Sequence, residues 1–162
     1  MMRYHMRRPE RQIKGRKRLL ELLDGKEHVT IAMSKDNNPY LVTVNHYLDK
    51  KGTCIYFHCA SKGKKMDYLK ANPVVWGQVM DDLGPVGGEC DQEYRTVMFR
   101  GKVRFVNSMR EKKHALELMI DRLSSRPARV KDSLTDASLD KVAICRIDLL
   151  EMTGKECLSK KR

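Results

Sequence analysis

Cys54-Ile-Tyr-Phe-His58-Cys-Ala-Ser61-Lys-Gly63-Lys64-Lys65-Met-Asp-Tyr-Leu69-Lys-Ala-Asn72-Pro73 reads as a strand, a short loop and a helix. From Cys54 to Cys59 the side chains fall into two sets, Ile55/Phe57/Cys59 and Cys54/Tyr56/His58, the period-two pattern of a half-buried strand. Ser61 and Gly63 interrupt it. Met66 and Leu69 then resume at helical spacing, and Asn72-Pro73 ends the helix because the residue before proline avoids the α region. The junction offers free backbone N–H groups at a helix N-terminus beside two lysines, Lys64 and Lys65. Amides, helix dipole and ammonium charge together suit a phosphate. From spacing alone, the plainer reading is preferred: solvated first-turn lysines and a turn-forming Gly63. The stretch is not a Walker A loop, since His58 stands where the first glycine is needed, and no G-x-G-x-x-G fingerprint occurs in the chain.

Outward from this stretch, the punctuation is that of a β-rich domain. Glu10–Asp24 reads as an amphipathic helix with Ile13, Leu19, Leu20 and Leu23 on one stripe and Gly25 as its stop. His28–Ser34 alternates as a strand. Lys35-Asp36-Asn37-Asn38 turns it into a second strand at about Pro39–Tyr47. Val74–Met80 is a strand carrying the single tryptophan, Trp76. Asp81–Gln92, broken by Gly84-Pro85 and Gly87-Gly88, reads as a loop that could rim a cavity. Tyr94–Val106 is the longest strand, with Gly101 marking a bulge. Ser108-Met-Arg-Glu111 reads as a capping box opening a helix through Ala115, Met119 and Leu123. Ser124–Asp140 reads as loop with at most one short helix, and Val142–Leu149 as the last strand. About six strands joined by turns, with helices at the margins, predict a mainly β (α+β) fold: a closed antiparallel barrel with flanking helices.

The 162 residues suit one domain with a real core. No apolar run approaches membrane-spanning length, and the charged N-terminus lacks the apolar core of a secretory signal. Five cysteines without a Cys-x-x-Cys pair argue for reduced thiols and a cytoplasmic setting. The net charge of +12 resides at the ends: residues 1–18 carry +7 and residues 155–162 carry +3. This divides the chain into a basic arm at 1–9, a folded domain at 10–154 and a basic tail at 155–162. The arms read as solvated ends rather than a nucleic-acid surface, although basic arms can bind one through counterion release. His46, His58 and Cys59 invite a metal, but adjacent strand residues point to opposite faces, so His58 and Cys59 do not share an ion. No metal is expected.

Three stretches in this order resemble the pyridoxamine-phosphate-oxidase-like FMN-binding split barrels, nearest the nitroimidazole-resistance branch. They are Pro39-Tyr-Leu-Val-Thr43-Val44-Asn45, Tyr56–Trp76, and Cys90-Asp-Gln-Glu-Tyr94-Arg95-Thr96-Val-Met-Phe-Arg-Gly101-Lys-Val103, within a span from about Arg11 to about Leu123. The resemblance implies a six-stranded split barrel, a homodimer, and FMN at the subunit interface. It places the phosphate on Ser61, Gly63, Lys64 and Lys65, with the two lysines replacing the family's Arg-Lys pair. It places the ring against Val42, Thr43, Val44, Asn45, His58 and Cys59. Thr96 falls where the oxidases carry a glutamine that reaches the flavin from the second subunit; it is shorter, and Arg95 beside it can compensate.

The function implied is an FMN-dependent oxidoreductase that passes electrons to a small-molecule acceptor (a nitro compound, a quinone or free flavin), with NAD(P)H as the possible donor. The residues that bind substrate phosphate in the amine-oxidising members have no recognisable counterpart near the C-terminus. The alternatives are a flavin-binding or redox-sensing module without turnover and, from another class, a nucleic-acid-binding protein using its basic arms. No residue is assigned a catalytic role from the sequence.

Overall fold

The computed structural model describes residues 6–49, 51–86 and 92–158. The expected arm at 1–9, the loop at 81–92 and the tail at 155–162 therefore lie partly outside the described residues, as does Cys90. Seven strands form one antiparallel sheet: β1 (His28–Lys35), β2 (Asn38–Asn45), β3 (Tyr47–Leu48), β4 (Cys54–Cys59), β5 (Val74–Pro85), β6 (Gln92–Phe105) and β7 (Ala143–Cys157). Their order is β2-β1-β5-β6-β7-β4-β3. The sheet curls round one core yet does not close, because β2 and β3 remain its two unpaired ends. The closed barrel that turn spacing predicts is thus corrected to an open, split one. The seventh strand is the two-residue β3.

Around the sheet stand α1 (Arg16–Asp24), α2 (Lys64–Ala71), α3 (Met109–Leu123), α4 (Pro127–Asp132) and α5 (Asp136–Asp140). Helix α1 starts six residues later than the amphipathic pattern predicts, because Gly15 at φ 87° breaks it. Before it, Pro9–Arg11 forms a single 3-10 turn, and the Ile13 N–H donates to the Gly154 carbonyl at 2.9 Å. Strands β5 and β6 run on into the expected loop from either end, pairing Pro85 with Gln92 beyond an irregularity at Asp82/Gly84. Strand β7 likewise continues to Cys157, past the predicted end at Leu149, with Leu150 bulged opposite Gly101. Two short helices, α4 and α5, stand between Ser124 and Asp140, where a loop with at most one was expected.

The β1–β2 turn puts Asp36 and Asn37 at φ 49° and 60°, the left-handed pair that a two-residue hairpin of primed type needs. Inside the barrel, Val29, Ile31, Ile55, Phe57, Val75, Phe99, Ile147 and Leu23 are buried as one cluster. Gly77 faces Phe99 directly across β5–β6. A Cβ at Gly77 would stand 2.1 Å from Phe99 Cζ, so the ring occupies the space that any other residue's side chain would need.

Strand β4 is not half-buried as its alternation suggests. Its second face, Cys54 and Tyr56, packs against Ala115 and Met119 of α3. Ser108 caps α3 by accepting the Glu111 N–H at 3.5 Å. The Glu111 carboxylate does not return to the cap as a full box requires. It accepts instead from Tyr56 Oη at 3.0 Å, Arg104 Nη2 at 2.6 Å and Arg146 Nη1 at 3.2 Å. Burial opposes its charge, but these donors outweigh that and hold its carboxyl below the ordinary range.

His46, between β2 and β3, is the one polar side chain fully buried among the described residues. Its Nε2 lies 2.9 Å from the Leu23 carbonyl and therefore carries the proton, while Nδ1 has no partner. Burial, with the nearby Arg122 charge, lowers its pKa from 6.5 to about 4. The unfolded chain takes up this proton near pH 6.5 and the folded chain only near pH 4. Stability should therefore fall by up to about 3 kcal/mol as pH drops through that window. In urea titrations from pH 7 to 4, His46→Gln should flatten this fall; an unchanged slope would mean His46 is already charged in the fold.

Gly77→Ala should destabilise the protein by about 1–3 kcal/mol through overpacking. Phe99→Leu should cost much less in the Gly77→Ala background than alone, because it vacates the contested space. Additive losses in a four-member denaturation cycle would separate the two positions.

Candidate functional site

Strand β4 delivers the chain to the site. Ile55 and Phe57 fix it to the core, Cys59 is its last residue, and Ser61–Gly63 make an exposed turn into α2. Gly63 caps α2 at φ 124°, ψ 170°, a conformation that needs glycine, and no side chain caps the first turn. A Cβ there would meet nothing within 4 Å, so open space lies before the helix N-terminus. Met66 and Leu69 anchor the other side of α2 in the core.

The two lysines sit on aromatic rings. Lys64 is exposed, with Nζ 4.4 Å from the Tyr40 ring centroid and 5.6 Å from that of Tyr68. Those rings lie 5.2 Å apart. Lys65 is half-buried, with Nζ 5.5 Å from the Phe57 ring. Among the described residues, neither ammonium has a carboxylate within salt-bridge distance. Two cations without a carboxylate partner among the described residues thus stand in the first turn of a helix that no side chain caps, an arrangement of charge and free amides that suits an anion.

The remaining predicted residues divide by face. Val42 and Val44 turn inward from β2 and pack on the core beside Tyr40 and Cys59, and Asn45 ends the strand half-buried. Thr43 turns outward, its hydroxyl 3.0 Å from that of Thr30. Thr96 points to the same outer face from β6, donating to the Val79 carbonyl and accepting from Gln78 Nε2, both at 3.1 Å. Arg95 points inward; its Nε is buried without a hydrogen bond, with Glu156 Oε2 at 3.6 Å. His58 faces away from the lysines, into a groove of about 470 Å³ lined by Leu116, Met119, Ile120, Leu123 and Val130. Cys59 points inward, 3.5 Å from Met66 Sδ and 3.7 Å from Cys145 Sγ.

The fold therefore keeps Ser61, Gly63, Lys64 and Lys65 together and distributes the other predicted residues over both faces of the sheet. Thr43 and Thr96 share one sheet face but are separated by β1 and β5, three strand spacings or about 14 Å. Between and around them that face exposes Leu41, Trp76, Met80 and Met98. Sequence reasoning passed over Tyr40 and Tyr68, which position Lys64, and over this apolar face. The signal for the face was present: Trp76 alternates with the buried Val75 and Gly77, and Leu41 with Tyr40 and Val42. Among the described residues no group of three His, Cys, Asp or Glu side chains is placed to hold a metal, and no helix is long and apolar enough to cross a membrane.

An open split barrel with two lysines in the first turn of the helix that follows β4 is the class of architecture these features define. A family model described as pyridoxamine 5'-phosphate oxidase matches residues 15–156, and the chain belongs to that family. No curated protein matches the chain. Among solved structures, one provisionally assigned to 5-nitroimidazole antibiotic resistance in Bacteroides thetaiotaomicron is similar at 23% identity. It covers 90% of this chain and 86% of its own, with TM-score 0.76. The flavocytochrome Anf3 of Azotobacter vinelandii is 14% identical over 96% of this chain and 73% of its own, with TM-score 0.78. A FAD- and heme-binding protein of Mycobacterium smegmatis is 17% identical over 92% of this chain and 74% of its own, with TM-score 0.76. At these identities the likeness establishes the split-barrel fold.

Proposed function

We propose that this protein is a homodimeric FMN-binding oxidoreductase. The observation that carries the reading is the unneutralised Lys64–Lys65 pair at the uncapped N-terminus of α2. Family membership and the flavin named in two structural relatives support it. FMN is preferred to FAD because its phosphate is terminal and dianionic, which matches two consecutive lysines in the first turn of an uncapped helix. Once bound, FMN supplies hydride and single-electron transfer.

The chain's own residues bind and orient. Lys64, held over Tyr40 and Tyr68, and Lys65, held over Phe57, grip the phosphate with the first-turn amides. Thr43 on β2 offers a hydroxyl toward the ring from one subunit, and Thr96 on β6 offers one from the other. The outer face with Leu41, Trp76 and Met98 meets its copy, excluding water from a flat ring that one open sheet cannot enclose. The acceptor class is a nitro compound, quinone or free flavin, with NAD(P)H as donor. Extraction of the bound cofactor, followed by NAD(P)H oxidation assays with each acceptor, tests both halves of the reading. Protein that folds yet neither retains nor binds flavin would end it, and flavin binding without turnover would leave a sensor.

Replacing Lys64 and Lys65 together with glutamine removes both charges and keeps helix propensity. At about 1.5–3 kcal/mol per charge-assisted bond, FMN affinity should fall about a hundredfold or more. Riboflavin, which has no phosphate, should bind the variant and the wild type alike. Equal losses for the two ligands, measured by fluorescence titration, would indicate misfolding, and no loss for FMN would move the phosphate elsewhere.

Trp76→Glu places a charge at the centre of the proposed contact and should convert the dimer to monomer in sedimentation at low micromolar concentration. Flavin content should fall with it. A wild type that is already monomeric with flavin bound would overturn the dimer.

A further inference from the structure

Two thiols meet inside the barrel next to the lysine site. Cys59 is the last residue of β4, half-buried at the rim, and Cys145 lies fully buried one diagonal away on β7, whose partner on β4 is Phe57. Their sulfurs are 3.7 Å apart. A disulfide needs about 2.05 Å between sulfurs, and a diagonal pair starts with its Cα atoms about 7–8 Å apart, so closure draws the sulfurs together by less than 2 Å and also shifts the backbone at one cysteine. Cys59 is placed to make that shift, because the ladder ends at the Cys59–Ala143 pair and Ala60 is already outside the strand.

We propose that Cys59 and Cys145 form a peroxide-reactive thiol pair that closes to an intramolecular disulfide. Hydrogen peroxide or an alkyl hydroperoxide is the oxidant class. The Cys59 thiolate attacks the peroxide, the O–O bond breaks, one oxygen stays on sulfur as sulfenic acid, and the other leaves as water or alcohol. The Cys145 thiol then attacks the Cys59 sulfur, forming the S–S bond and releasing the second oxygen as water. Two thiols are oxidised by two electrons while one peroxide is reduced, and neither thiol needs bound flavin for this.

The electrostatics favour this division of roles. A hydrogen bond from Cys145, followed by the Lys65 charge, lowers the Cys59 pKa from 9 to about 7, against the opposing effect of burial. The bond to Cys59, together with burial, drives the Cys145 thiol upward. Cys59, half-buried at the barrel rim, is then the more acidic thiol of the two, while the fully buried Cys145 keeps its proton and waits behind it. In the protonated form Cys59 Sγ also donates to Met66 Sδ at 3.5 Å.

Reduced, desalted full-length protein treated with one equivalent of hydrogen peroxide, then mapped as peptides without reductant, tests the pair. The expected result is loss of two thiols and a single cross-link joining the Cys59 and Cys145 peptides. In Cys145→Ser, dimedone should trap a sulfenic acid at Cys59 and no cross-link should form. Iodoacetamide labelling of Cys59 should rise about tenfold between pH 6 and 8 and level off above; an ordinary thiol rises about a hundredfold. A Cys59 that stays reduced under peroxide, a Cys59 sulfenic acid that persists in the wild type, or a cross-link between other cysteines would overturn the proposal. The wild-type measurement decides it even if the variant does not fold.

Discussion

Burial of β4 on both faces is the constraint on which the rest of this structure depends. Ile55 and Phe57 fill the barrel, while Cys54 and Tyr56 are buried against α3. A slip of one residue would exchange these sets, driving the Tyr56 hydroxyl into the core and separating it from Glu111. The register that keeps Tyr56 on Glu111 also brings Cys59 to the rim and starts the turn that ends at Gly63. The position of the α2 N-terminus is therefore set from behind, by packing with no part in binding. The loop itself, Ser61–Gly63, is exposed and makes little contribution to its own placement.

The charges are distributed to match. Arg100 pairs with Glu151, Arg104 and Arg146 with Glu111, and Arg146 also with Asp148. These guanidinium groups tie β6, β7 and α3 together, and their planar forks suit carboxylates held in fixed geometry. Lys64 and Lys65 lie instead on aromatic rings. A ring face holds an ammonium in place without neutralising it, at about 0.5–1 kcal/mol for an exposed site, so the charge stays available to an incoming anion. The Tyr40–Tyr68 pair thus orients Lys64 while keeping it a cation in search of a partner.

How far the sequence could be read follows from the range of the interactions involved. The β4–loop–α2 stretch, the β1–β2 hairpin and the Ser108 cap were legible because each is decided by residues within a few positions of one another. The extensions of β5, β6 and β7 were not. Gly84 and Pro85 speak locally for a loop, but pairing with Glu93 and Gln92 overrides them, and Lys155 joins a strand because β6 lies beside it. The Glu111 carboxylate left its cap for Arg104, Tyr56 and Arg146, two of which are distant in the chain. Of the predicted site residues, Ser61, Gly63, Lys64 and Lys65 were a local pattern and are found as a unit. Thr43 and Thr96 were matched by resemblance, and only the strand order reveals that two strands stand between them.

That separation bears on why, under the proposed function, a single barrel would be an incomplete site. An isoalloxazine ring needs walls on both faces, yet the outer sheet surface is open and presents Leu41, Trp76 and Met98 to water. Burying about 100 Å² of apolar surface yields roughly 2.5 kcal/mol, so exposing several large side chains on one face works against an isolated chain. The polar groups on that face already have partners within the sheet: Thr43 with Thr30, and Thr96 with Val79 and Gln78. What the face lacks is a cover, not a hydrogen bond. Under the proposed dimer, a second copy supplies the cover by symmetry and brings its β6 toward the first copy's β2. The hydroxyls that one chain holds about 14 Å apart can then meet the same ring from opposite subunits.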